Sequence, residues 1–104
     1  IRPMKLLIIT TIDAHKPRVL TLLKQAGISA YSSADISGYK ETDQSLPIKN
    51  WFASSGIQVD SELVFSFVAE EKIAPLFQAL RAFNESLEGL SPIHAVVVPI
   101  EQSL

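Results

Sequence analysis

The run Met4 to Ile12 is almost wholly β-favouring, and Asp13 after it can cap a helix whose apolar positions Val19, Leu22, Leu23 and Ala26 recur at helical spacing. Gly27 supplies the stop. Ile28 to Ser37 alternates less cleanly, through Ile28, Ala30, Ser32, Ala34 and Ile36, but it lies between Gly27 and Gly38, and a second strand fits there. From Gly38 to Asp60 the pattern dissolves into polar residues, a stretch longer than connections in compact domains normally are. Order returns at Ser61 to Ala69, with Leu63, Phe65 and Phe67 on one side of a strand and Val64, Ser66 and Val68 on the other. Glu70 and Glu71 suit the positive end of a helix, Pro75 is tolerated only in its first turn, and Ile73, Leu76, Phe77, Leu80 and Phe83 form its buried stripe. Asn84 to Pro92 reads as a turn region, and His94 to Ile100 as a last strand.

Two successive β-α-β units predict an α+β domain of the ferredoxin-like βαββαβ kind: a four-stranded antiparallel sheet with two helices on one face. Leu6 to Ile9 and Ala95 to Val98 are apolar on both sides, whereas two short helices cover one face of a sheet. The other face needs a cover too. A homo-oligomer in which sheets of different subunits pack together is therefore expected, because a wet apolar face of that size is more than monomers tolerate.

At 104 residues the chain has room for one domain, taken as residues 4–104. Ile1-Arg2-Pro3 precede Met4, which reads as a natural start, so those three are expected to be a processing remnant. Nine basic against eleven acidic residues give a charge of −2, which argues against nucleic acid as a partner. The absence of cysteine excludes disulfides, thiolate metal sites and a cysteine nucleophile. No apolar run has the length of a membrane-spanning helix and no secretion signal follows Met4, so a cytoplasmic location without membrane insertion is expected.

Candidate chemistry is sparse. His15 and His94, the two histidines, are far apart in the chain; His15 is expected on the surface at the start of the first helix, and His94 at the start of the last strand, either reaching a cleft or bonding to backbone, with the structural reading favoured for both. Ser32-Ser33 and Ser54-Ser55-Gly56 lack the Gly-x-Ser-x-Gly elbow, and neither a Walker lysine loop nor Gly-x-Gly-x-x-Gly is present. Asp35, Glu41, Asp43, Asp60 and Glu62 flank or lie in the long loop and are expected to be solvated there, although paired carboxylates are also the ligands of magnesium. Trp51 and Phe52 in the same loop are either anchors for a partner or a plug over the end of the sheet.

Met4-Lys5-Leu6-Leu7, the helix end Ala26-Gly27-Ile28, the strand reaching Ser37-Gly38-Tyr39, the long loop, Phe65-Ser66-Phe67-Val68, the second helix and Val98-Pro99-Ile100-Glu101 together resemble the PII signal-transduction proteins. The resemblance spans nearly the whole chain. It implies a trimer with effectors in clefts between subunits and a T-loop, here at about residues 38 to 60, that controls a target protein. In that family a glycine at the base of the T-loop lets the chain pass close to a bound nucleotide, and Gly38 matches it. The family's second glycine and its glutamine are missing from Gly38-Tyr39-Lys40-Glu41-Thr42, which argues against magnesium-linked 2-oxoglutarate. The phosphate-binding B-loop is likewise not preserved: Glu88-Gly89-Leu90-Ser91-Pro92-Ile93-His94 stands there, with His94 in place of the phosphate-holding lysine. PII-like relatives exchange the ligand for adenylyl dinucleotides, bicarbonate-linked nucleotides or metal, and CutA-like proteins share the trimer but carry a cysteine motif absent here.

The expectation is a non-enzymatic, homotrimeric PII-like regulator of a transporter or enzyme. Gly38, Gly89, Ser91 and His94 would line the ligand cleft, and Tyr39, Lys40, Glu41, Trp51 and Phe52 would form the partner-binding loop. The effector is left open, with an adenine nucleotide as one candidate and classical ATP and 2-oxoglutarate sensing argued against. The alternative is a CutA-like metal-handling trimer using His94 with Glu88 or Glu101 of a neighbour; an enzyme with a histidine base ranks third.

Overall fold

The computed structural model describes residues 4–38, 59–87 and 92–104. Its elements run β1 (Met4–Ile12), α1 (Lys16–Gln25), β2 (Ser32–Gly38), β3 (Val59–Ala69), α2 (Ile73–Glu85) and β4 (His94–Pro99), with 3-10 turns at Asp13–His15 and Glu70–Lys72 leading into the two helices. The strands form one antiparallel sheet in the order β2-β3-β1-β4. This is the expected α+β, ferredoxin-like arrangement. No helix among the described residues is long and apolar enough to cross a membrane.

Alternation along the strands decides which face meets the helices. Leu7 and Ile9 of β1 lie in register with Ser66 and Val64 of β3 and with Val97 and Ala95 of β4. These positions, with Val68, pack under Val19, Leu22 and Leu23 of α1 and Leu76 and Leu80 of α2, and Leu7, Ile9, Val19, Leu23 and Val64 are fully buried. Each such aliphatic side chain contributes about 1.5–3 kcal/mol by leaving water. The intervening residues Leu6, Ile8, Phe65, Phe67, Val96 and Val98 share the opposite face, away from both helices. That face stays partly in solvent, with Phe67 61% and Val98 39% exposed.

Three local expectations need correction. The chain does not use Asp13 as a helix cap; a 3-10 turn occupies Asp13–His15, Ile12 stands at the capping position without a side-chain bond, and α1 begins at Lys16 with Pro17 in its first turn. His15 is half-buried rather than on the surface, with its ring edge-on to Phe83 at 5.3 Å between centroids. The second strand starts at Ser32, not at Ile28. Gly27 adopts φ +80°, with its N–H bonded to the Lys24 carbonyl and that of Ile28 to the Leu23 carbonyl, so α1 is closed by a Schellman turn. Ser66 Oγ then donates to the Ala30 carbonyl at 2.6 Å, occupying that group with a side chain while residues 28–31 run outside the β2–β3 ladder.

Candidate functional site

Of the residues expected to line a cleft, Gly38 and His94 are described. Gly38 ends β2 in register with Val59, and His94 opens β4 in register with Thr10. The remaining expected positions, Gly89 and Ser91 in the cleft and Tyr39, Lys40, Glu41, Trp51 and Phe52 in the loop, lie outside the described residues. β2 reaching Gly38 and β3 starting at Val59 narrow the segment between them to residues 39–58.

The sheet keeps Gly38 and His94 apart. They stand on its two edge strands, β2 and β4. His94 belongs to the row Ala34, Leu63, Thr10, His94, so three strand spacings, about 14 Å, separate it from β2, and Gly38 lies a further four residues, about 13 Å, along that strand. A single ligand touching both residues must bridge the β2 edge of one subunit and the β4 edge of another.

The β4 edge is held by a side chain that the sequence reading passed over. Asn84, in the last turn of α2, donates from Nδ2 to the Ile93 carbonyl at 2.9 Å and accepts the Ile93 N–H on Oδ1 at 2.8 Å. One amide thus satisfies both backbone groups of Ile93 as a neighbouring strand would. Ile93 is 4% exposed and belongs to the core, so alternation turns its neighbour His94 toward the face away from the helices. At the end of α2, Ser86 Oγ donates to the Phe83 carbonyl at 2.6 Å. A lone Asn at a helix end carries no distinctive sequence signal for this clamp.

Charge gathers elsewhere. Asp35 and Glu62 are register partners in β2 and β3, and with Asp13 they place three carboxylates within 4.8 Å of one another. Glu62 is 2% exposed, which corrects the expectation of a solvated loop carboxylate. Lys16 Nζ lies 3.4 Å from its Oε1 and offsets one of the three charges. Like charges directly across a strand pair repel, so the lysine is structurally important here. The group contains no histidine and lies on the helix-covered face, whereas His94 lies on the other, so it is not the metal arrangement expected around His94. Spacing alone hid it, because Asp35 and Glu62 meet only through the strand register.

Concave surface among the described residues follows a third region. Grooves of about 190, 280 and 380 Å³ surround the Gly27–Ser32 segment, where residues 28–31 leave the sheet. Gly38 and His94 are not among the residues that line these three grooves.

No protein-family model matches the chain, and no curated protein does. Solved structures do. The chain is similar to CPII, a nitrogen regulatory PII-like protein from Thiomonas intermedia solved with ADP, AMP and bicarbonate, at 26% identity, with 92% of this chain and 94% of that chain covered and a TM-score of 0.59. Arabidopsis thaliana PII bound to citrate shares the fold at 11% identity, covering 95% of this chain and 78% of that one, with a TM-score of 0.66. CutA from Synechococcus elongatus, complexed with Bis-Tris, does so at 12% identity, covering 96% and 82%, with a TM-score of 0.62.

Proposed function

We propose that this chain is a divergent member of the PII and CutA superfamily and a non-enzymatic trimeric regulator that senses a small ligand in clefts between subunits. The observation that carries the reading is the placement of Gly38 and His94 on opposite edges of one sheet, which makes a cleft containing both a property of the assembly. The apolar face bearing Leu6, Ile8, Phe65, Phe67, Val96 and Val98 supports it, since sister copies supply the cover that two helices do not.

The β2 edge of one subunit and the β4 edge of the next border the cleft, with Gly38, Gly89, Ser91 and His94 as its lining. An adenine nucleotide is the candidate ligand, in keeping with the ADP and AMP bound by Thiomonas CPII. The altered B-loop sequence, with His94 where the family has a lysine, points away from tight triphosphate binding. Gly38 is the last residue of β2, so a ligand at this edge touches the root of the loop formed by residues 39–58. Binding one arrangement of that loop better than others shifts the population toward it. A transporter or enzyme then reads the loop through Tyr39, Lys40, Glu41, Trp51 and Phe52. The same proposal has the protein act in the cytoplasm.

Calorimetric titration of the assembled protein with ADP and AMP, and in a separate arm with zinc or copper chloride, tests the ligand. Nucleotide binding at one site per subunit, lost in His94→Ala, is expected. Metal binding without nucleotide binding would replace this reading with the CutA-like one.

A further inference from the structure

Thr10 occupies a strand position whose neighbours on the same face are Ile8 and Ile12. Valine has nearly the shape of threonine and would fill that place without a polar atom to satisfy. The threonine side chain is 5% exposed, and its Oγ1 is buried without a hydrogen-bond partner among the described residues. The adjoining Thr11 shows the ordinary outcome, with its Oγ1 donating to the Ile12 carbonyl at 3.2 Å. A buried polar atom left unsatisfied lowers stability, and such local violations concentrate where function uses them.

The location of this hydroxyl gives it a use. Thr10 lies between Leu63 and His94 in its row across the sheet. Directly opposed side chains of an antiparallel pair have Cβ atoms about 4.5–5.5 Å apart, so the hydroxyl and the imidazole border one spot beside the β4 edge. Asn84 holds that edge in place through Ile93. Leu63, on the other side, offers no polar group. A hydroxyl without a partner is a donor suited to an oxyanion.

Resting on the reading of the β4 edge as one wall of the ligand cleft, we infer that Thr10 is a specificity-determining residue of that cleft, its hydroxyl donating to an oxyanion of the bound ligand beside His94. Bicarbonate and the phosphate of an adenine nucleotide share that chemistry.

The test titrates the full chain separately with AMP, ADP and sodium bicarbonate, using wild type, Thr10→Val and Thr10→Ser, and records thermal unfolding of each protein without ligand. Thr10→Val is expected to bind at least ~10-fold more weakly, equivalent to about 1.4 kcal/mol, while melting no lower than wild type. Thr10→Ser, which keeps the hydroxyl, is expected to stay within about 3-fold of wild type. Loss confined to bicarbonate identifies a carbonate-type oxygen as the acceptor, and loss for the nucleotides identifies phosphate. Wild-type affinity in Thr10→Val overturns the assignment, as does a lower melting temperature in that variant, which would show that the hydroxyl already has a partner within the chain. If wild type binds none of the three probes, the cleft reading fails and the role of Thr10 falls with it; binding that Thr10→Val retains removes the role of Thr10 alone.

Discussion

Gly38 and His94 belong to one sheet and cannot meet within it, because β2 and β4 are its two edges. The proposed ligand cleft therefore takes its two walls from different copies, and this can be tested by mixing. Gly38→Trp and His94→Ala are each expected to abolish ADP binding as pure proteins. After dissociation and co-assembly in equal amounts, about a quarter of the clefts combine an intact Gly38 from one copy with an intact His94 from another. Calorimetry should show that fraction of the binding capacity restored. No recovery from a mixture shown to have exchanged subunits contradicts a shared cleft.

The Asn84 clamp predicts a stability effect larger than an exposed helix end would give. Asn84→Ala removes both hydrogen bonds to Ile93 and leaves buried backbone groups unpaired, a loss of about 1–3 kcal/mol. The urea midpoint is expected to fall with the m-value unchanged. Asn84→Asp should also destabilise, since a carboxylate cannot donate to the Ile93 carbonyl. A midpoint equal to wild type for both variants would show that the clamp contributes nothing.

Much of the fold was legible because its signals were local. The run Met4–Ile12, the stripe Leu76, Phe77, Leu80 and Phe83, and the strand opening at His94 each depend on the order of residues in one segment, and the structure has them where the pattern put them. The start of β2 was not legible, because residues 28–31 alternate as a strand would while the bond from Ser66 to the Ala30 carbonyl and the turn at Gly27 hold them out of the ladder. The candidate site was read only in part. Gly38 and His94 are expected in the site only through their place in a family pattern, but their separation follows from strand order, and Thr10, Asn84 and the Asp13, Asp35, Glu62 group are defined by register and by contacts between elements.

Lys16 is predicted to matter through its neighbours. Lys16→Ala leaves the buried Glu62 among Asp13 and Asp35 without its ammonium, and because Lys16 is 37% exposed, solvent screening limits the loss to about 1–2 kcal/mol. Adding Glu62→Gln removes the orphaned charge and should recover most of that loss in thermal unfolding. A double variant no more stable than Lys16→Ala would contradict the electrostatic account.

Trp51 and Phe52 are proposed to face a partner rather than the core. Changing both to serine is expected to alter unfolding free energy by no more than about 0.5 kcal/mol per site. A loss of several kcal/mol in chemical denaturation would make them part of the packed structure and remove them from the partner surface.

The central claim is that the apolar sheet face and the two edge strands are completed by sister copies. Light scattering coupled to size exclusion, at micromolar concentration, measures this without reference to any ligand. The account predicts a particle of three times the 11.4 kDa chain mass; a single homogeneous species at the mass of one chain would contradict it.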